Sequence, residues 1–247
     1  MKTYVFVTLS ILLVLNWRPV VAEPQEFLMQ INSSNDVNFI VVDPQGRKTG
    51  VDSRNAKTHS QWVWLREIPR ANYSFDGEEM QASMQFLCRF NSPTADGIYT
   101  IHIMGKKLSA FNLSLSATGY DSTRIQDAIF ELHNIPLDRD SVVTYLFTYH
   151  RAPRYPARFE KAVDAKSLVQ DLAAMRKLKW IRSQQAMNRY VKLVRTYGMQ
   201  LQQRDTIAAR STLTTIIRSI IPDSARALTV NAYRSLRTDV EYLLRKF

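Results

Sequence analysis

The sequence predicts an α+β protein of more than one domain, in which an all-β sandwich is followed by an antiparallel four-helix bundle. Two periodicities in the 247 residues lead to this prediction. From residue 27 to residue 149 hydrophobic residues tend to alternate, as in strands with one buried face; from residue 164 onward they recur every three or four residues, as in amphipathic helices. Between the two regions, Pro153 and Pro156 disfavour helix and favour an extended connector.

The first residues have the order of a secretory signal peptide. Lys2 precedes an uncharged, largely apolar run over residues 5–15, and Val20-Val21-Ala22 stands before Glu23. The apolar run reaches only about 16 Å as a helix, about half of the hydrocarbon core of a bilayer, which disfavours the alternative of a membrane anchor. We therefore expect cleavage between Ala22 and Glu23. No later segment is long and apolar enough to span a membrane, so we expect a secreted protein, with the periplasm and the cell surface as alternatives.

These observations divide the chain into four segments. We expect a signal peptide over residues 1–22, a β-sandwich over 23–150, a basic proline-containing connector over 151–158 and a helical domain over 159–247. The single cysteine, Cys88, excludes an intramolecular disulfide, so stability must come from packing. It lies in an apolar, strand-like run, where a buried thiol is favoured over a nucleophile.

Eight short runs have the composition of strands and are bounded by polar residues, Gly or Pro. They are residues 27–31, 37–42, 61–65, 83–90, 98–104, 111–117, 124–133 and 142–149. The run 98–104 alternates most clearly, with Tyr99, Ile101 and Ile103 on one face. Gly105-Lys106-Lys107 separates it from the run 111–117 and predicts an antiparallel hairpin. For residues 124–133 a short helix is the alternative.

Several turn and strand residues of the first half match, in type and order, residues of a known class of module. They are residues 42–52, Glu67-Ile68-Pro69, Asn91-Ser92-Pro93, residues 97–105 and residues 111–115. These residues resemble small β-sandwich modules of secreted bacterial proteins, among them pre-peptidase C-terminal and related P-like domains. The resemblance implies a scaffold for folding, adhesion or polymer contact that has no active site. Four aspartates, Asp43, Asp52, Asp76 and Asp96, lack the spacing of a calcium loop, so roles in turns and at strand ends are favoured over calcium binding.

Four amphipathic helices are predicted in the second half. The first begins after the N-cap Asp164 and runs to residue 178, and the second covers about residues 183–203. The third opens at Asp205 or Thr206 and stops at Pro222, and the last covers about residues 224–246. The short connections between them favour antiparallel packing.

Residues of this second half also follow a known pattern. They are Phe159, residues 164–172, Trp180-Ile181, residues 204–209 and residues 233–243. They resemble the FIMAH module, a FIVAR-like helical domain found at the C-termini of secreted and surface proteins of bacteria. The resemblance implies that the apolar positions pack the bundle, and it brings no catalytic residue or cofactor. In two turns where relatives usually have glycine, this chain has Lys177-Leu178-Lys179 and Gln203-Arg204-Asp205.

Charge is divided unequally along the chain. Residues 23–150 hold 11 Lys/Arg and 15 Asp/Glu, a net charge of −4, whereas residues 151–247 hold 20 and 7, a net charge of +13. This asymmetry favours binding to an acidic polymer, an anionic surface or a negatively charged partner. The alternative is that the charges are solvated helix faces that keep the protein soluble. The candidate contact residues lie around Trp180 and on the last helix: Arg176, Lys177, Lys179, Arg182, Arg234, Arg237, Arg245 and Lys246.

The sequence contains no recognisable catalytic arrangement. His59, His102, His133 and His150 lack metal-ligand spacing, and nucleophile-elbow, phosphate-loop and dinucleotide motifs are absent. We therefore expect a secreted, non-catalytic binding protein without cofactor or metal, whose partner is an extracellular protein or an anionic polymer or surface. Nucleic acid is an alternative that rests on charge alone. An accessory subunit of another secreted protein and a hydrolase with an unfamiliar site are the alternative functions.

Overall fold

A computed structural model describes residues 26–34, 36–54, 62–76, 81–89, 96–121, 124–150 and 156–247. The predicted signal peptide, its cleavage site at Ala22 and Glu23, and most of the predicted connector lie outside these ranges, as does His59. The described chain is a mixed α+β structure with strands in its N-terminal part and four helices at its C-terminus. Residues up to Lys161 are termed the strand-rich part, and residues from Ala165 onward the helical part.

The strands agree in most places with those predicted from the alternation of apolar residues. They are β1 Glu26–Ser33, β2 Val37–Val42, β3 Lys48–Asp52, β4 Val63–Arg66, β5 Ala71–Asp76, β6 Gln81–Arg89, β7 Gly97–Gly105, β8 Ser109–Asp121, β9 Arg124–Leu137, β10 Val142–Tyr149 and β11 Arg158–Lys161. β2 and β10 have the predicted bounds, whereas β3, β5 and β11 were not predicted. Because β9 is a strand, the alternative of a short helix there is wrong.

All strand pairs are antiparallel, and they form two sheets. The strand orders are β5-β6-β1-β8-β9 and β11-β10-β7-β2-β3-β4. Alternating residues of both sheets are buried in one hydrophobic cluster, to which the first sheet contributes Met29 and Phe111 and the second contributes Phe39, Ile101 and Phe147. The buried faces of β7 and β8 are thus the faces that the period of two predicted.

The predicted hairpin between β7 and β8 is wrong. β7 pairs with β2 and β10, whereas β8 pairs with β1 and β9 in the other sheet. The strand β7 ends at Gly105, where a Cβ would lie 2.1 Å from the carbonyl oxygen of Asp138. β7 and β8 each bury one face in the shared core, but they lie in different sheets. The alternation of side chains is therefore the same whether two successive strands form a hairpin or cross between sheets.

The helices are α1 Ala165–Lys177, α2 Gln184–Gln202, α3 Thr206–Asp223 and α4 Val230–Leu244. The side chains of Asp164, Ser183 and Asp205 cap the first three by accepting hydrogen bonds from backbone N–H groups of the first turn, close to the predicted starts. The predicted start of α4 at residue 224 is wrong, because its N-cap is Thr229. None of the helices described in these ranges is both long and apolar enough to cross a membrane.

The two turns that lack the expected glycine adopt the backbone conformation that glycine favours. Lys179 after α1 has φ 61° and Arg204 after α2 has φ 60°. After α1, the N–H of Trp180 donates to the carbonyl oxygen of Met175 at 2.8 Å, and the N–H of Lys179 donates to that of Arg176 at 3.1 Å. These are the two bonds of a Schellman motif, which explains why the helix ends at this point.

Only residues 162–164 separate the last strand from the first helix. The N–H of Ala162 still donates to the carbonyl oxygen of Thr144 on β10 at 2.8 Å, while Val163 is already buried in the core of the helical part. The strands therefore continue past the predicted connector, and residues 159–161, which we had assigned to the helical domain, belong to β11. The division of the chain into the predicted domains stays a prediction.

Candidate functional site

Lys161 on β11 lies between two buried carboxylates of the helical part. Its Nζ donates to Oδ2 of Asp171 on α1 at 2.5 Å and to Oδ2 of Asp239 on α4 at 2.8 Å, and the exposed fraction of the three side chains is at most 11%. Burial raises the pKa of Asp239 to about 6, which Lys161 opposes and Asp171 reinforces. Burial alone would lower the pKa of Lys161, but the two aspartates outweigh it and raise that pKa. This buried triad ties the edge of a sheet to the first and last helices.

Most other acidic side chains of the helical part are also engaged within the molecule. Asp164 and Asp205 cap helices, as described above. Asp223 accepts hydrogen bonds from Arg189 and from the hydroxyl of Tyr190, and Glu241 pairs with Arg237 at 2.6 Å. Among the described basic residues from Arg158 onward, ion pairs with other described residues form at Lys161, Lys177, Arg189 and Arg237. The remaining cations there are exposed or only partly buried and have no acidic partner among the described residues.

Two of the predicted contact residues near Trp180, Arg176 and Lys177, bind other groups of the same molecule. One guanidinium nitrogen of Arg176 donates to the carbonyl oxygens of Ile181 and Arg182 at 2.8 and 3.1 Å, which secures the turn after α1. Lys177 forms an ion pair with Asp138 of the strand-rich part. This ion pair, with hydrogen bonding, outweighs burial and lowers the pKa of Asp138. Arg176 and Lys177 therefore stabilise the fold and are poor candidates for a free contact surface.

The other two predicted residues near Trp180 are exposed, and the fold brings a third cation to them. Ile181 and Leu228 form an isolated antiparallel bridge, and the N–H of Arg182 donates to the carbonyl oxygen of Ala227 at 2.8 Å. Arg226, which is exposed, precedes Ala227 on the facing segment. Lys179, Arg182 and Arg226 are termed the turn cluster. Arg226 was not among the predicted contact residues, because the predicted last helix includes its segment. The N-cap Thr229 before Val230 is the local signal against a helix there.

The predicted residues of the last helix differ in their surroundings. Arg237 pairs with Glu241 and donates to the hydroxyl of Tyr233 at 2.7 Å. The Nζ of Lys246 lies 4.4 Å, and the guanidinium carbon of Arg245 lies 5.9 Å, from the centre of the Tyr242 ring. Arg234 is exposed and has no ion pair with another residue in the described ranges. The eight predicted residues thus fall into two places, one at the turn after α1 and one along α4.

A crevice of about 280 Å³ lies between the strand-rich part and α4. The strand-rich part contributes residues of β9, β10 and β11, and α4 contributes one face. Both carboxylates and cations line this interpart crevice. Its residues are Leu132, His133, Asn134, Ile135, Tyr145, Phe159, Glu160 and Lys161 on the sheet side, and Asn231, Arg234, Ser235, Thr238, Asp239, Tyr242 and Arg245 on the helix side. On the helix side, the spacing of these residues by three or four positions is that of one face of a helix.

Asp43 and His102, which were considered as possible metal ligands, form hydrogen bonds within the fold. Asp43 accepts hydrogen bonds from the N–H groups of Gln45 and Arg47 at 3.0 and 2.9 Å, which is a turn role. His102 is partly buried, and its Nδ1 lies 3.0 Å from the hydroxyl of Thr144. Burial, with smaller effects of nearby basic residues, lowers the pKa of His102. Within the part of the chain that the structure describes, no group of three or more His, Cys, Asp or Glu is placed to hold a metal ion.

Comparisons with protein-family models, with curated proteins and with solved structures found no match. The resemblances to P-like and FIMAH modules therefore stay predictions from the residues named above.

Proposed function

We propose that the protein is a secreted, non-catalytic binding protein in which a β-sandwich module carries a four-helix bundle module that contacts an anionic extracellular polymer or surface. The observation that carries this proposal is the distribution of paired and unpaired charged side chains in the helical part. Its acidic side chains are mostly buried, capping helices or paired, while most of its basic side chains are left without an acidic partner among the described residues. The net positive charge is thus presented to solvent.

Solvent-exposed cations attract a polyanion at long range and gain affinity by releasing its condensed counterions. The turn cluster is a set of such cations from two segments that the fold joins by a backbone hydrogen bond. Lys179, Arg182 and Arg226 are exposed, and two hydrogen-bonded segments hold them at one end of the helical part. We propose that this cluster makes the central contact and that other exposed cations of the helices add to the attraction.

Binding to a sulfated polysaccharide and to duplex DNA, measured as a function of salt, tests this proposal. Reversing all three charges of the turn cluster to Glu should weaken binding at least about tenfold at low salt, and should reduce the slope of log K against log salt for DNA by about three. The matched control reverses Lys166, Arg195 and Arg210, which are exposed and lie away from the turn. It makes the same change in net charge.

A smaller loss in the control variant supports a localised contact. Equal losses in both variants would show that net charge alone attracts the polymer, and the turn cluster would be rejected. If the wild-type protein binds neither polyanion at low salt, the proposed function is wrong. Recovery of a stoichiometric protein partner whose binding ignores these charges would favour the accessory-subunit alternative.

A further inference from the structure

We propose that the turn between α2 and α3 inserts into the interface of an anionic lipid bilayer. Residues 199–207, which include this turn, are termed the α2–α3 tip. The 19 residues of α2, about 28 Å as a helix, separate this tip from the turn cluster. The α2–α3 tip is therefore a second contact site, and its binding to lipid does not depend on polymer binding by the turn cluster.

The α2–α3 tip is open to solvent. Every residue over 201–207 is exposed. The N–H of Asp205 donates to the carbonyl oxygen of Gln200 at 2.9 Å, which closes the turn and holds the end of α2 beside the start of α3. The strand-rich part is attached to the other two helices, through the triad to α1 and α4 and through Asp138 to Lys177 of α1.

Three large apolar side chains are exposed at this tip. The exposed fraction is 54% for Met199, 38% for Leu201 and 84% for Ile207. Met199 and Leu201 are the neighbours of Gln200 in the chain, and Ile207 follows Asp205 by two residues. Because Gln200 and Asp205 are hydrogen-bonded, all three apolar residues lie at the same turn. A single exposed apolar side chain is ordinary in a folded protein, whereas a group of them indicates a contact surface.

Three exposed arginines border this apolar group. Arg195 is four residues before Met199 and Arg210 is three residues after Ile207, spacings that place each pair on one side of its helix. Arg204 lies in the turn between the helices. None of the three arginines has an acidic partner among the described residues.

The two helices and their turn contain almost no negative charge. Residues 184–222 contain one acidic residue, Asp205, and six basic residues: Arg189, Lys192, Arg195, Arg204, Arg210 and Arg218. The carboxylate of Asp205 accepts a hydrogen bond from the N–H of Ala208 at 2.9 Å and so caps α3. The charge of this segment therefore complements an anionic surface.

An anionic bilayer matches both properties of the α2–α3 tip. Apolar side chains of an interfacial segment enter about 5–10 Å into the boundary between headgroups and acyl chains, while neighbouring basic side chains stay at the lipid phosphates. A turn can enter a fluid bilayer without a surface of complementary shape. A stable protein interface would instead bury about 800 Å² on each partner, which is more than three partly exposed side chains offer.

Cosedimentation with large unilamellar vesicles at low salt tests this proposal. Wild type should bind vesicles of phosphatidylcholine with about 30% phosphatidylserine at least about tenfold more tightly than vesicles of phosphatidylcholine alone. Met199→Gln with Ile207→Gln should weaken binding to the anionic vesicles at least about tenfold, because the apolar insertion is lost. The matched control is Ile221→Gln with Val230→Gln, two residues outside the tip with exposed fractions of 60% and 62%. Its binding should stay within about twofold of wild type.

A second pair of variants separates the α2–α3 tip from the turn cluster. Arg204→Gln with Arg210→Gln should weaken binding to the anionic vesicles at least about tenfold, since each basic residue near the surface contributes about fivefold. Lys179→Gln with Arg182→Gln removes the same charge from the turn cluster and should change binding by no more than about threefold, because these residues lie more than a Debye length from the tip. A larger loss at the turn cluster would refute this proposal and leave polymer binding by that cluster in place.

Fluorescence measures the insertion itself. The tryptophan emission added by Ile207→Trp should be quenched by lipids brominated in their acyl chains, whereas that added by Val230→Trp should not. The proposal is wrong if wild type does not bind the anionic vesicles, if the control pair loses as much as the apolar pair of the tip, or if Ile207→Trp is not quenched. Self-association without vesicle binding would assign the tip to a second copy of the chain. If the apolar pair does not fold by circular dichroism, the arginine pair and the fluorescence decide.

Discussion

Replacing Lys161 by Met should destabilise the protein strongly near neutral pH. Methionine has an unbranched side chain of similar length, but it lacks the ammonium group that pairs with Asp171 and Asp239. The variant leaves two carboxyl groups buried at one place without a cation. Because like charges in a poorly solvated site cannot both remain ionised, at least one of them must take up a proton in the folded state.

The size of the effect is that of a buried ion pair that loses one partner. Breaking such a pair typically costs about 3–5 kcal/mol, because the remaining charge is left without compensation. In the variant the folded-state pKa of the pair is raised above its unfolded value, so the penalty is small near pH 4 and grows as the pH rises towards 7.

Urea denaturation followed by far-UV circular dichroism, at about pH 4.5 and about pH 7.5, measures both the penalty and its pH dependence. The control is Lys166→Met on α1, an exposed position where the free energy of unfolding should change by no more than about 0.5 kcal/mol. A loss below about 1 kcal/mol near pH 7.5 would refute this account of the triad. So would equal losses at the two pH values.

Two further predictions concern single positions. In the wild-type protein the pKa of Asp239 is raised to about 6, so ionisation of this group should lower the free energy of unfolding by about 2 kcal/mol as the pH rises from about 4 to about 7. Asp239→Asn should remove that pH dependence in a denaturation series, and an unchanged series would contradict the raised pKa. Lys179→Gly and Arg204→Gly should each raise the free energy of unfolding by up to about 1 kcal/mol, because both residues have a left-handed backbone. Ala173→Gly inside α1 should lower it by about 1 kcal/mol, and a loss of similar size at position 179 or 204 would contradict the turn argument.

The alternation of apolar residues predicted the buried faces of β7 and β8 but not the strands with which they pair. Tyr99 on β7 and Leu115 on β8 are both buried in the shared core, although their strands lie in different sheets. Side-chain period is a local property, whereas strand pairing depends on where the chain crosses between sheets. β3 was missed because glycine weakens a strand pattern and Gly50 lies within it. In the fold this glycine permits a close approach, since a Cβ there would lie 2.1 Å from the carbonyl oxygen of Phe39.

Helix starts were predictable where the N-cap is a local signal, as at Asp164 and Asp205. The start of α4 also has a local signal, the N-cap Thr229, but the period of apolar residues extended the predicted helix over the segment that forms the bridge of Leu228 with Ile181. The candidate site, too, was predictable only where the signal is local. The excess of basic residues was visible in the sequence, but the pairing of Lys161 with carboxylates on two helices depends on the packing of β11 against them.

The short junction over residues 162–164 has a mechanical consequence. Three residues span at most about 10 Å. A force that pulls the two parts apart is therefore transmitted almost directly to β11, the outermost strand of its sheet. An edge strand held by one neighbour would otherwise be peeled away first. Lys161, the last residue of that strand, is anchored to α1 and α4, so the triad shares the pull among three elements. A protein attached at one end to a surface would in this way keep its two parts together under load.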